Sequence, residues 1–308
     1  MIVAFIISFS FLFVFLYSFP DSVQFRERKF YSQNFDPNAT KIFLLGSSHV
    51  GELNATFINL YLSSHYQNYI VYNLAYYADT PSERLKTLKD IILLKPKMVV
   101  YGISYRDISS STNNKILPDP RDLFSQTILG SNVEDNFNIP NPKITTETMI
   151  HYLSKRHDFT HPLDAVYMNY TPFFPYLPSD GKIATYDELK SESETSDAPG
   201  VYIDPSFKSQ DILALNEIVK ELHKNNIKIV IFTTPHSKIY IDGLPPHQQE
   251  LFKSLLEELK NSGVPVYDLT DRYENSLIFK DINHVAYNSN SSIYSQDILK
   301  IILTETES

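Results

Sequence analysis

The chain contains no cysteine and no tryptophan. Without cysteine there is no disulfide, no thiolate ligand for zinc and no thiol nucleophile. The lack of Trp beside 21 Tyr and 20 Phe has no physical account. An excess of positive charge is missing too: the net charge is -9, and RERK at 26–29 is the strongest basic cluster. That balance gives no footprint for a phosphate backbone, so no nucleic-acid partner is expected. Disorder of the whole chain is excluded by a hydrophobic content of 43%, enough for a full core in 308 residues.

What is present starts at the N-terminus. MIVAFIISFSFLFVFLYSF, residues 1–19, carries no charge. An apolar run of about 18 residues is long enough to span a bilayer as a helix. No small-residue cleavage site follows it, so the run predicts a retained single-pass anchor, with 20–40 as a juxtamembrane linker. Arg26, Arg28 and Lys29 just after it favour a cytoplasmic body by the positive-inside rule. Four Asn-x-Ser/Thr triplets, at Asn38, Asn54, Asn169 and Asn290, favour an exterior one, and the expectation leans outward.

From residue 41 the sequence alternates. Short apolar runs at 41–46, 69–75, 98–104, 228–235 and 264–269 read as buried parallel strands. Between them lie helical stretches. TPSERLKTLKDIILL opens with Thr80 as cap, Pro81 at the first position and Glu83 at the third. SQDILALNEIVKELHKNN has an apolar stripe at 212, 215, 218, 219 and 222. HQQELFKSLLEELKNSG ends on Gly263, and a last helix is expected over about 288–303. The pattern predicts an α/β domain over 41–308, a doubly wound parallel five-stranded sheet with helices on both faces. Residues 105–205 interrupt it with ten of the 18 prolines, and read as an insertion holding one helix (KITTETMIHYLSKRH) among surface loops.

In such a sheet ligands bind beyond the C-terminal strand ends. Gly46-Ser47-Ser48-His49 follows the first strand, Asn73 to Thr80 the second, Gly102 to Arg106 the third and Thr234-Pro235-His236 the fourth. Lys280-Asp281-Ile282-Asn283-His284 comes after the fifth. A hydroxyl, backbone donors and an acid–imidazole pair on one rim are the parts of acyl transfer: nucleophile, base, the acid that orients it, and donors for the oxyanion. Ser48 fits the nucleophile, His284 the base and Asp281 the acid.

These residues resemble the SGNH (GDSL-type) hydrolases. GSSH looks like their first block, NLAYYADT their second with Ala78 at the glycine, YGIS their third with Ser104 at the asparagine, and DINH their closing Asp-x-x-His. The resemblance implies a flavodoxin-like SGNH fold and the triad Ser48, Asp281 and His284. It also implies an oxyanion hole built from the N–H groups of Ser48 and Ala78, with Ser104 as a third donor. Ser47 in place of Asp is similar to membrane-anchored members that move acyl groups on cell-surface polymers, such as the teichoic acid D-alanyl transfer protein and the alginate O-acetylation proteins. The expected activity is therefore ester hydrolysis or O-acyl transfer on an acylated cell-surface carbohydrate, without metal or organic cofactor.

Other readings compete at each position. Ser48 could simply cap a helix, worth about 1 kcal/mol. Ser47 is the alternative nucleophile. GSSHVG lacks the central glycine of a dinucleotide fingerprint, and Gly51 comes one residue late for a Gly-x-Ser-x-Gly elbow. His151, His157 and His161 offer metal-ligand spacing, but Pro162 follows at once and no Glu accompanies them. YMNYTPFFPY (167–176) is either an aromatic platform or packing for the insertion. Arg106 and His236 are expected on the rim as substrate contacts. The rival to an enzyme is a degenerate SGNH-like domain that binds a surface glycan or a membrane-protein partner without turnover.

Overall fold

The computed structural model of the chain describes residues 23–66, 68–110, 170–174, 181–195, 201–289 and 291–307. The expected anchor at 1–19, the helix expected at 143–157 and the histidines 151, 157 and 161 lie outside them. Among the described residues no helix is long and apolar enough to cross a membrane. The chain divides into two units. Of the first, comprising Met1–Asn34 and Lys115–His161, the described part contains helix α1 (Val23–Tyr31).

The second unit, Phe35–Asn114 and Pro162–Ser308, carries the sheet. Its first half runs β1 (Thr40–Leu45), α2 (Ser48–Gly51), α3 (Ala55–His65), β2 (Tyr69–Asn73), α4 (Pro81–Leu93) and β3 (Met98–Ile103). After α5 (Tyr186–Thr195) and α6 (Gln210–Lys224) come β4 (Lys228–Thr233), α7 (Lys238–Gly243), α8 (Pro246–Asn261), β5 (Val266–Tyr267) and α9 (Ser292–Glu307). The five strands are all parallel in the order β2-β1-β3-β4-β5. This is the flavodoxin-like arrangement, with its reversal of winding between β1 and β3.

The strands are continuous apolar runs because both faces are covered. Alternate residues serve opposite layers. Ile42, Leu44, Val71, Met98, Val100, Val230 and Phe232 join the core that α3 and α9 cover with Ile58, Leu62, Ile298 and Ile302. On the other face α4 packs beside α6, whose buried Ile212, Leu215, Ile218, Val219 and Leu222 are the predicted stripe.

Several boundaries differ from expectation for local reasons. The stretch before residue 65 holds two helices because the Asn54 side chain accepts from Phe57 N–H at 2.9 Å and starts α3 anew. The fifth strand shrinks to two residues after Pro265, which has no N–H to donate and instead accepts Ile231 N–H at 2.9 Å. α5 was not expected at all, yet Thr185 and Glu188 form a reciprocal capping box: Glu188 N–H donates to the Thr185 hydroxyl, and Thr185 N–H to the Glu188 carboxylate.

Gly46 sets how closely the centre of the sheet can approach α2. Its φ is +141°, and a Cβ there would lie 2.5 Å from Val50 Cγ2 and 2.6 Å from the Gly102 carbonyl. Both left-handed strain and overpacking oppose a side chain, at about 1–3 kcal/mol each. Gly46→Ala is therefore expected to destabilise the fold by about 3 kcal/mol, read as a lowered midpoint in chemical denaturation; an unchanged midpoint would refute the close approach.

Candidate functional site

Ser47, not Ser48, is the N-cap residue of α2, and its side chain makes no capping bond. Ser48 stands at the first helical position, so the competing reading of Ser48 as a simple cap does not hold. The Ser48 hydroxyl lies 2.8 Å from His284 Nε2, a contact between residues 236 apart. On the other side of the same ring, Nδ1 is 2.9 Å from both Asp281 oxygens. An ionised carboxylate only accepts, so Nδ1 carries the ring proton and Nε2 offers its lone pair to the Ser48 O–H.

The turn holding Asp281 and His284 is built by its own backbone. Phe279 and Val285 form an antiparallel bridge beneath it, and Lys280 N–H donates to the His284 carbonyl at 2.9 Å. Asp281 Oδ1 also accepts from the N–H groups of Asn283 at 2.9 Å and His284 at 2.8 Å. Burial pushes the Asp281 carboxyl up, but the His284 ring and these N–H groups outweigh it and hold it below the usual range. For His284, burial works against the charged form, while Glu52 and Asp281 work for it and prevail, so its pKa is raised above the ordinary 6.5. Glu52 and His284 are coupled, since burial pushes the Glu52 carboxyl itself up to about 8. Asp281, in direct contact with the ring, holds the His284 pKa up.

Two more contacts fix the nucleophile's segment. The buried Asn73 carboxamide at the end of β2 donates to the carbonyls of Val50 at 2.8 Å and Leu53 at 3.1 Å, gripping the end of α2. Glu52, the C-cap of α2, meets Lys280 at 3.0 Å in an ion pair with side chains 1% and 15% exposed. That pair joins the helix of Ser48 to the turn of His284.

After β2 the chain keeps alongside β1. Leu74 N–H donates to the Leu44 carbonyl at 2.8 Å and Tyr76 N–H to Gly46 at 3.3 Å. The buried Asp79–Arg84 ion pair, with Arg84 also donating to the Leu74 carbonyl at 2.9 Å, pins this loop. Burial pushes the Asp79 carboxyl up to about 6 against the pull of Arg84. Ala78, in the loop, is left-handed at φ 57°. Neither the Ser48 nor the Ala78 N–H has an acceptor among the described residues.

Two expected site residues, Ser104 and His236, are placed differently. Ser104 is buried, and its N–H donates to Asp107 Oδ2 at 2.8 Å while its Oγ accepts from Asp107 N–H at 3.3 Å. Its hydroxyl also bonds the Asp107 carboxyl, and so turns to Asp107 rather than standing as a third oxyanion donor. His236 is 1% exposed and cannot be a rim contact. The reason is a long-range contact: Ser237 N–H and hydroxyl both donate to the Ile282 carbonyl, so the 281–284 turn lies over this segment. Arg106 is exposed, as a substrate contact would have to be. Ser47 is 2% exposed with its hydroxyl 3.0 Å from His49 Nδ1, which keeps it from substrate. Of the aromatic stretch, Phe173 and Phe174 are buried, with the Phe174 ring where a Gly51 side chain would be.

Sequence reading missed Asp107, His49, Glu52 and Glu192. Ser104-x-x-Asp107 is a local turn signature that could have been seen. Glu192 of α5 accepts Ile282 N–H at 3.1 Å, a partnership of residues 90 apart with no sequence signal. Among the described residues no group of His, Asp or Glu is arranged to hold a metal ion.

No family model matches the chain, and no curated protein matches it. Solved structures do resemble it. One is a Bacteroides fragilis NCTC 9343 protein with an unproven assignment as an acylhydrolase, at 12% identity, 93% of this chain and 97% of that one, TM-score 0.47. Another is the psychrotrophic esterase EstA from a Pseudoalteromonas species, at 9% identity, 87% and 100% coverage and TM-score 0.43. A third is a G-D-S-L family protein of Desulfitobacterium hafniense DCB-2 with an unproven lipolytic assignment, at 10% identity, 85% and 99% coverage and TM-score 0.40. At these values none of the three carries its activity over to this chain.

The left-handed Ala78 gives a direct test of the loop. An L-residue with a Cβ pays about 1–2 kcal/mol there that glycine does not, offset in part by glycine's freer unfolded chain. Ala78→Gly is expected to raise stability by up to about 1 kcal/mol, measured by thermal melting; a loss of stability would place this residue in another conformation.

Proposed function

We propose that this chain is a serine esterase or O-acyltransferase working through an acyl-Ser48 intermediate. The observation that carries the reading is the relay itself, Ser48 Oγ to His284 Nε2 at 2.8 Å and the same ring to Asp281 at 2.9 Å. His284 takes the Ser48 proton as Oγ attacks an ester carbonyl, and Asp281 holds the imidazolium that forms. The unpartnered N–H groups of Ser48 and Ala78 are the donors for the resulting oxyanion. His284 then returns the proton to the leaving alcohol, and the acyl group passes to water or to an acceptor hydroxyl.

The proposed substrate is an acylated cell-surface carbohydrate, reached by a body held outside the membrane on the apolar segment 1–19. This rests on the sequence resemblance and on that segment's length. A second reading, a degenerate domain that binds glycan or a membrane partner without turnover, draws on one observation: Ser104 is committed to Asp107, which leaves the oxyanion two backbone donors.

Mass spectrometry after exposure to a small fluorophosphonate separates the readings. The enzyme reading expects one adduct on Ser48, lost in Ser48→Ala and in His284→Ala, with ester turnover falling by about 10³-fold or more in either. A folded wild-type chain without an adduct would leave only the binding reading. Because the base must be neutral and its pKa is raised, activity should fall as pH drops, with the half-maximum above pH 6.5. A pH–rate profile of kcat/KM with its acid limb well below 6.5 would remove His284 as the base.

A further inference from the structure

His49 lies directly under the proposed base. Its ring is stacked on that of His284 with centroids 4.5 Å apart and planes 15° apart. Three independent contacts fix it. Nδ1 is 3.0 Å from the Ser47 hydroxyl, the backbone carbonyl accepts from the Tyr294 hydroxyl at 3.3 Å, and the edge meets His236 at 5.3 Å and 80°. Ser47 in turn leans on the buried Asp107 carboxyl, which Ser104 also holds. Behind His236 the stack continues to Tyr240 at 4.6 Å, the two planes 29° apart.

We propose that His49 is a positioning residue, a flat uncharged shelf that sets the plane of the His284 imidazole and keeps water from its inner face, with Ser47 and Asp107 locking the shelf in place. The proposal rests on the esterase reading for its kinetic consequence, though not for its structural one.

A second imidazole beside a base that becomes cationic would repel it if it too were charged. Burial prevents this by pushing the His49 pKa well below its ordinary value, and likewise that of His236, to about 3. His284 therefore meets a neutral ring on that side, its charge governed by Asp281 and Lys280 on its own turn, Glu52 at the end of α2 and Glu192 on α5. A flat ring also restricts rotation of the imidazole about its hydrogen bond to Asp281, which a rounded aliphatic chain would not. This gives Ser47 a job: its hydroxyl holds the ring by Nδ1.

Two substitutions divide the ring from its hydrogen bond. His49→Phe keeps the flat face and loses the bond to Ser47; His49→Asn keeps a polar group near the Nδ1 position and loses the face. Both are checked for folding by circular dichroism. The expectation is that His49→Phe retains ester turnover within about threefold. His49→Asn should lose about 10²-fold in kcat with KM unchanged, the scale of a misplaced base. NMR titration of His284, identified by its loss in His284→Gln, should give a higher midpoint in His49→Asn, where water reaches the inner face, and a wild-type midpoint in His49→Phe. Equal impairment of both variants, or a wild-type kcat and midpoint in His49→Asn, would overturn the shelf. The titration reads the ring without turnover, so a wild-type chain inert to fluorophosphonate would sink the esterase reading while the shelf was still decided.

Discussion

The pairing of β1 with both β2 and β3 is the constraint from which the site follows. All three strands are parallel, so all three end on the same rim, and the chain must leave β1 towards one face and β3 towards the other. The gap so created is where α2 starts. Gly46 lets the chain turn there without striking Val50 or the Gly102 carbonyl, and Asn73 from the neighbouring strand grips the far end of the helix. Ser48 is thus placed by three strands at once. Its 2.8 Å contact with His284 adds little to fold stability; the sheet makes that distance, and the chemistry depends on it.

Around that contact the protein buries ionisable groups at a cost. Burial pushes Glu52 up to about 8, Asp107 to about 7 and Asp79 to about 6, while His236 is pushed down to about 3. Each of these carboxyls would be fully ionised at neutral pH in the unfolded chain, so each takes up protons more readily in the fold and subtracts from stability there as pH rises. Such concentrations of displaced pKa values gather at sites that do chemistry. Here they divide by purpose. Asp281, partly exposed and met by donors, stays charged, while burial holds the His49 and His236 rings neutral, so that in the proposed mechanism one imidazole carries the proton traffic.

Much of this was legible in the sequence because the parts that carry it are local. Unbroken apolar runs at 41–46, 98–104 and 228–235 had to be strands covered on both faces, and the structure has β1, β3 and β4 there. Thr80 and Pro81 open α4 as their chemistry requires. Asp281 and His284 are three residues apart, so their contact needed only a turn. What was not legible depends on distance in sequence. Whether His236 faced the rim or lay under the 281–284 turn was decided by Ser237 bonding to Ile282, 45 residues on. The turn of Asp107 back onto Ser104, by contrast, was local and readable, three residues on from YGIS. The α5 capping box was local and readable; the acidic, proline-flanked composition around it hid the signal.

The position of α5 alters how the interrupting segment is to be understood. Glu192 is not a solvated charge on an idle helix, since its carboxylate takes the N–H of Ile282 in the middle of the turn that carries Asp281 and His284. Burial and the nearby Asp281 charge push its pKa up, and it tolerates that position because the N–H faces it. A second tie runs from Ala184 N–H to the Phe279 carbonyl at 2.8 Å, at the base of the same turn. The turn is therefore held from four directions: by its own bridge, by Lys280 on Glu52, by Ser237 on Ile282 and by α5. In the proposed reaction, a segment that grips the base in this way would be placed to affect which acceptor, water or an alcohol, meets the acyl-enzyme. Small shifts of α5 would reach His284 through two hydrogen bonds rather than through the sheet.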